Sequence, residues 1–450
     1  MARVFGTDGV RGIANVDLTP ELAFRLGRAG AYVLSGDGDA LKPFVVGRDT
    51  RLSGTMLEAA LVAGITSIGR DTLSVGIVPT PAIPRILDSI GAAGGVMISA
   101  SHNPIEDNGI KFFGPDGFKL DDATEREIER TLLRDDELPR ATHDRVGIAK
   151  TSHGLVDRYF ATLIDGGGDL TGLTVVVDAA FGAAYLVAPR ALARLGARVV
   201  PLNAEDDGAR INVACGSTNL GPLRERVREL AAADPQAHVV GVAFDGDADR
   251  ALFVDEGGAA LSGDHVLLAL ALEKKRHGKL AHDTLVATVM SNVGLERALQ
   301  REGIALIRTS VGDRYVLEAM RAGGFTLGGE QSGHVIDFER NTTGDGPMTA
   351  VSLLSLMLRK RTTLRDLTAG MHVYPQILVN VRTTRKEVIE DETVRAAIAR
   401  ASDRLGREGR ILVRASGTEP LVRVMIEGDD RASIERLAAE VAETVERAAR

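Results

Sequence analysis

Short apolar runs recur along most of this chain, at 44–46, 95–98, 174–177, 239–244 and 285–289, and between them apolar residues fall at helical spacing. A short continuous apolar run bounded by turn residues reads as a strand buried on both faces. Over 182–195, Ala184, Val187, Ala188, Ala191, Leu192 and Leu195 line one side of a helix. Strand, helix and strand in this order predict sheets with a parallel core and helices packed on them. From 371 onward the pattern changes: strands predicted at 376–383, 410–414 and 421–427 precede a helix from about 431. On it Ile434, Leu437, Ala438, Val441 and Val445 form a stripe suited to packing on a sheet. The expected fold is therefore α/β: three related mixed-sheet α/β domains plus a smaller C-terminal α+β domain. Breaks near 142–151, 257–258 and 369–375 place the domains at 1–150, 151–256, 257–370 and 371–450.

Composition narrows the function. Glycine makes up 50 of 450 residues, about 11% against roughly 7% in an average protein, so many backbone stretches must turn tightly or approach something closely. Cys215 is the one cysteine, which excludes an intramolecular disulfide and a thiolate metal cluster and fits a reducing compartment. The first ten residues lack a basic segment followed by an apolar one, and no uncharged apolar stretch is long enough to span a bilayer. A cytoplasmic protein is expected. A formal net charge of -8 argues against a nucleic-acid or anionic-membrane partner, although a local cluster of Arg and Lys could still hold a phosphate.

Four polar loops, each following or closing a strand, carry residue types suited to phosphoryl transfer. In GGVMISASHNPIEDNGIKFF, an apolar strand runs into Ser99, Ala100, Ser101, His102, Asn103 and Pro104. Pro104 biases Asn103 away from helical angles, so an extended turn presents the Ser101 hydroxyl at the mouth of the strand. A serine hydroxyl is a weak nucleophile until a neighbour activates it. His102 is adjacent, and Lys111 lies on a strand at 110–113 predicted to follow an Asn108-Gly109 turn. Alone, this stretch would read as a surface serine turn. In VAFDGDADRALF, Asp245, Asp247 and Asp249 alternate ahead of Arg250. Three such carboxylates repel unless a cation neutralises them, and oxygen donors select Mg²⁺ or a similar hard ion. An EF-hand is excluded, because Arg250 stands where that loop needs glycine. Apolar strands on both sides disfavour a solvated acidic turn.

In LGGEQSGHVI, glycines permit unusual angles while Glu330, Ser332 and His334 offer an acceptor, a hydroxyl and an imidazole suited to sugar hydroxyls or an amine. A structural tight turn competes with that reading. In ILVRASGTEPLVRVMI, Arg414, Ser416, Gly417, Thr418 and Arg423 combine fork-shaped donors, hydroxyls and backbone N–H groups, which suits a phosphate monoester. No Walker A loop is present. VFGTDGVRGIA adds Arg11 on a predicted glycine-flanked turn, within reach of a phosphorylated serine.

Together these five stretches resemble the α-D-phosphohexomutase superfamily in order and spacing from Phe5 to Arg423. The resemblance implies four domains around a central cleft, one loop from each facing it. It implies that Ser101 carries a phosphoryl group and that Asp245, Asp247 and Asp249 bind one Mg²⁺ per chain, with the phosphoserine completing the shell. His102, Lys111, Arg11 and Arg250 would surround the transferring group, Glu330 and Ser332 would bind sugar hydroxyls, and Arg414, Ser416, Gly417, Thr418 and Arg423 would hold the other phosphate. The general acid/base stays open between Lys111, His334 and others, because Asp313 in TSVGDRYV stands where relatives tend to carry histidine. Gln331 and the FGTDGVRG opening lean toward the branch acting on glucosamine phosphates. The implied reaction converts glucosamine 6-phosphate to glucosamine 1-phosphate and back, with a sugar 1,6-bisphosphate as intermediate and activator, on the route to UDP-N-acetylglucosamine. The implied partner is a phosphosugar, and a homodimer is compatible. The alternatives are a mannose- or glucose-phosphate mutase of the same family, a Mg²⁺-dependent phosphatase with Asp245 or Asp247 as nucleophile, and a non-catalytic sugar-phosphate sensor. A phosphatase would form a labile acyl phosphate rather than an acid-stable ester on Ser101, and a sensor would need neither nucleophile nor metal.

Overall fold

A computed structural model describes residues 4–6, 8–35, 42–406, 409–416 and 420–450. The first sheet holds β1 (Val10–Ile13), β2 (Phe44–Arg48), β3 (Thr72–Ile77), β4 (Gly94–Ile98), β5 (Asp107–Phe113) and β6 (Ala149–Thr151), in the order β1-β5-β4-β2-β3-β6. Strands β4, β2, β3 and β6 run parallel, and β5 and β1 extend the sheet antiparallel at one edge. The second sheet holds β7 (Leu173–Asp178), β8 (Arg198–Leu202), β9 (His238–Phe244), β10 (Ala251–Val254) and β11 (Ala260–Leu261), in the order β11-β10-β9-β7-β8. Here β8, β7 and β9 are parallel, while β10 and β11 are antiparallel. The third holds β12 (Thr284–Thr288), β13 (Ala305–Thr309), β14 (Leu327–Gly329) and β15 (Val335–Asp337), in the order β13-β12-β14-β15, with β14 parallel to β12 and antiparallel to β15. The fourth is wholly antiparallel: β16 (Gln376–Arg382), β18 (Leu421–Gly428) and β17 (Gly409–Ala415), with β18 in the middle once β17 is placed at its edge.

Side-chain alternation explains why β4 is locked in place. Val96 and Ile98 pack into a core under the helices Pro20–Ser35 and Gly54–Ser67, whereas Met97 packs on the other face with Ile83, Ile86, Leu87, Tyr159 and Leu163. Each such fully buried side chain contributes about 1.5–3 kcal/mol. Val187, Ala191 and Met348 join the second core, so residues from the first three α/β domains share one apolar cluster. That shared core brings their loops together.

The loops occupy equivalent places. Residues 99–106 join β4 to β5, 245–250 join β9 to β10, and 330–334 join β14 to β15, each at the carboxyl end of a parallel strand where the chain turns back. Open α/β sheets bind ligands at these ends. Two expectations are corrected. Asn108 and Gly109 lie inside β5 rather than in a turn, because β1 pairs with them across the sheet edge. Arg11 is likewise on β1, opposite Gly109, and not on a turn. The segment 142–151, read as a break, ends in β6, which pairs with β3 and spans residue 150.

Two compact units result: Met1–Met290 with Leu306–Ala369, and Ser291–Ala305 with Gly370–Arg450. Within the second, Asn292 Nδ2 donates to the Tyr374 carbonyl at 2.9 Å and Arg410 Nη2 to the Ser291 carbonyl at 2.7 Å, which ties the helix Val293–Arg301 to the C-terminal sheet.

Candidate active site

Ser101 is buried and has φ of +53°, a left-handed conformation that non-glycine residues seldom adopt. Its neighbours hold it there. The buried Arg51 guanidinium donates through Nη2 to the carbonyls of Ser101 (2.9 Å) and Asn103 (2.8 Å) and through Nη1 to that of Asp107 (2.9 Å). Asn212 Nδ2 donates to the Ser101 carbonyl at 2.9 Å, and Ser99 Oγ accepts from the Ser101 N–H at 2.9 Å. Asp49 anchors both Arg51 Nε (3.0 Å) and Ser99 Oγ (2.6 Å). Gly246 lies against the same carbonyl, and a Cβ there would sit 2.5 Å from it.

The Ser101 hydroxyl donates to Asp245 Oδ2 at 2.7 Å, while His102 Nδ1 is 3.3 Å away. The shorter contact assigns the hydroxyl proton to Asp245. His102 stays neutral near pH 7, because burial, Arg250 and Arg11 push its pKa down to about 4. Asp245, Asp247 and Asp249 are buried and offer oxygens within 4.8 Å of one another. Burial, reinforced by Asp249 and Asp247, pushes the Asp245 carboxyl up to about 8. Asp247 Oδ1 and Asp249 Oδ1 are buried without a hydrogen-bond partner among the described residues. Orphaned carboxylate oxygens in a trio with a serine oxygen beside it fit a hard divalent cation.

Lys111 Nζ contacts Asp247 Oδ2 at 2.8 Å and Asp8 Oδ2 at 3.0 Å. The Arg250 N–H donates to Asp245 Oδ1 at 3.2 Å, and its backbone bridges to that of His334. The Gly344 N–H points at His334 Nε2 from 3.2 Å, which leaves Nδ1 to carry the proton toward Asp249 Oδ2, 3.5 Å away. The imidazole therefore backs a carboxylate of the trio. Glu330 Oε1 accepts from the Gly312 N–H at 3.1 Å, and Ser332 Oγ is buried without a hydrogen-bond partner among the described residues.

The first three loops, together with Arg11 on β1 and Lys111 on β5, thus bring Ser101, His102, Asp245, Asp247, Asp249, Arg250 and His334 into one linked cluster. Arg414, Ser416 and Arg423 belong to the second unit, and Gly417 and Thr418 lie outside the described residues. Arg414 and Arg423 face each other across β17 and β18, and burial with this repulsion lowers the Arg414 pKa. A pair of opposed guanidiniums suits an anion.

Sequence reasoning missed Asp8, Thr80, Arg51, Lys119 and Asn212. Thr80 donates through Oγ1 to Asp247 Oδ2 at 2.6 Å and through its N–H to the Asp247 carbonyl at 2.9 Å. Behind it, Asn341 Nδ2 donates to the Pro81 carbonyl at 3.0 Å and to Asp345 Oδ2 at 2.9 Å, and Tyr159 Oη donates to Asp345 Oδ1 at 2.7 Å. The position of Thr80 between Pro79 and Pro81, just past the end of β3, was the available signal. The others sit in stretches whose partners are distant in sequence.

Four domain models of the phosphoglucomutase/phosphomannomutase family match this chain: alpha/beta/alpha domain I over residues 2–139, domain II over 159–258, domain III over 262–374 and the C-terminal domain over 378–444. The chain is 50% identical over 453 residues to the phosphoglucosamine mutase of Thermoanaerobacter sp. (strain X514), with 99% of each covered. Its fold is similar to a phosphoglucomutase/phosphomannomutase family protein from Burkholderia thailandensis, with TM-score 0.85, 25% identity and coverage of 99% and 97%. It is also similar in fold to the N-acetylphosphoglucosamine mutase of Aspergillus fumigatus in complex with GlcNAc-6P and magnesium, with TM-score 0.67, 18% identity and coverage of 99% and 96%.

Proposed function

The chain belongs to the phosphoglucomutase/phosphomannomutase family, and from that membership we propose that it interconverts glucosamine 6-phosphate and glucosamine 1-phosphate through phosphorylated Ser101. The observation that carries this reading is the 2.7 Å contact between Ser101 Oγ and Asp245 in the orphan-bearing carboxylate trio. The 50% identity to a phosphoglucosamine mutase supports the choice of sugar. In the forward direction the phosphoserine Oγ–P bond breaks as a P–O bond forms to the free hydroxyl of the sugar phosphate, whose proton passes to a base. The resulting 1,6-bisphosphate then returns its other phosphoryl group to Ser101 Oγ, and the freed sugar oxygen takes up a proton.

One Mg²⁺, held by Asp245, Asp247, Asp249 and the Ser101 oxygen, would neutralise charge on the transferring group. Arg11, Lys111 and Arg250 spread what remains, and fixed cations in a buried site need no reorganisation as the reaction proceeds. Neutral His102 lies beside the hydroxyl, and His334 steadies Asp249. Glu330 and Ser332 bind the sugar, and Arg414, Ser416, Gly417, Thr418 and Arg423 bind a phosphate. The single thiol, Cys215, supports a reducing cytoplasmic setting.

A coupled assay of the purified chain on glucosamine 6-phosphate and on glucose 1-phosphate tests the reading, with Ser101→Ala beside it. The expected result is a preference for the amino sugar and a loss of about 10³-fold or more in the variant at unchanged melting temperature. Label from a sugar [³²P]bisphosphate should map to Ser101 as an acid-stable ester. Near-normal turnover by Ser101→Ala would overturn the assignment.

A further inference from the structure

Asp8 touches neither Ser101 nor the carboxylate trio, yet three cations converge on it. Its Oδ2 accepts from Lys111 Nζ at 3.0 Å and from Arg11 Nη2, and its Oδ1 accepts from Lys119 Nζ at 2.6 Å. The cations come from three places: Arg11 from β1, Lys111 from β5 and Lys119 from the turn after β5. Each has a second partner. Lys111 reaches Asp247 Oδ2 at 2.8 Å, Arg11 Nη1 reaches Asn103 Oδ1 at 3.4 Å in the serine loop, and Lys119 pairs with Asp313 at the start of the helix Asp313–Gly323. Lys111 is buried, Arg11 and Lys119 are half-buried, and cations this close repel one another; a shared carboxylate is what lets them remain together.

The backbone is built to put Asp8 there. The Gly6 N–H donates to the Gly9 carbonyl at 2.8 Å, so the two glycines lie side by side as an antiparallel bridge. Gly9 has φ of +80°, and a Cβ on it would lie 2.4 Å from the Ile110 carbonyl oxygen. Only glycine lets the backbone at position 9 lie flat on β5, directly beside Lys111.

Building on the functional reading above, we propose that Asp8 is a positioning residue for phosphoryl transfer: its carboxylate gathers Arg11, Lys111 and Lys119 into one preorganised cationic cluster beside the Ser101 loop. Without it the freed side chains relax toward Asp247, Asp249 and Asp313 and no longer present their charge in a fixed direction. Lys119 acts within this cluster, and its contribution depends on Asp8.

The test uses the full chain with Asp8→Asn, Lys119→Met and the double variant, each assayed for kcat and KM on glucosamine 6-phosphate and for melting temperature. Asp8→Asn keeps the side-chain shape and removes the charge. The expected result is a kcat lowered about tenfold or more, with KM within about threefold and little change in melting temperature. Lys119→Met should cost less, and the double variant should be no slower than Asp8→Asn, because both changes disable one cluster. Wild-type kcat in Asp8→Asn overturns the proposal. So does a kcat loss that only follows a fall in melting temperature, or a double variant whose losses multiply. If Asp8→Asn does not fold, an unchanged kcat in Lys119→Met overturns it and a lowered one supports it. A wild-type chain silent on both glucosamine 6-phosphate and glucose 1-phosphate refutes the functional reading, and this proposal with it; an active wild type with an unaffected Asp8→Asn refutes the proposal alone.

Discussion

At Ser101 the backbone conformation is the first cost, since a left-handed non-glycine residue stores about 1–3 kcal/mol. Hydrogen bonds to a charged donor contribute about 1.5–3 kcal/mol each, so the fan of Arg51 contacts is large enough to hold the strain. Lysine keeps the charge of Arg51 but cannot span those carbonyls with a rigid fork. Arg51→Lys should therefore lower turnover about tenfold or more and destabilise the chain by about 1–3 kcal/mol, read from kinetics and urea unfolding together. Cys215 illustrates the opposite case, a residue type that invites a functional reading and has none here. It is buried, and burial, with Asp178 as a lesser contributor, pushes its thiol up to about 12. A group with a raised pKa stays protonated below that value, so almost no thiolate exists at pH 8. Iodoacetamide at pH 8 should leave the folded protein unmodified and alkylate it rapidly once unfolded, as followed by intact-mass measurement.

Among the elements, apolar period and turn residues located the central strands, because β4, β7 and β9 are buried on both faces and need continuous apolar sequence. The same reasoning failed at Asn108-Gly109. Its local preference for a turn is real, but pairing with β1 over four residues outweighs it. Edge strands carry weak sequence signals, and β1 and β6 went unrecognised for that reason. Helix packing supplies a sharper test. The helices Pro20–Ser35 and Gly54–Ser67 approach so closely that a Cβ at Gly64 would lie 2.0 Å from the Phe24 carbonyl oxygen. Gly64→Ala should lower the urea midpoint, with a cost of about 1–3 kcal/mol, despite the higher helix propensity of alanine. A stability equal to wild type would mean that the helices can separate freely.

For the whole molecule, Asp245, Asp247, Asp249 and Ser101 all belong to one compact unit, while Arg414 belongs to the other. A ligand that binds only the folded form stabilises it by mass action, about 2.7 kcal/mol at a hundred times its dissociation constant. Scanning calorimetry should show Mg²⁺ raising the transition that belongs to the first unit, with chelation reversing the shift and Asp247→Asn abolishing it.

The sequence alone determined the fold class and the chemistry on offer, because strand and helix periods, loop glycines and clustered functional groups are local features that survive in one dimension. It could not reveal which residues share a carboxylate. Asp8 meets Lys111 and Lys119 through a chain reversal and an edge-strand pairing, Arg51 saturates a loop that begins some fifty residues later in the chain, and Thr80 reaches the trio from another sheet. Those contacts rest on how separately folded layers pack over a common core, and packing of that kind leaves no periodic trace in the order of residues.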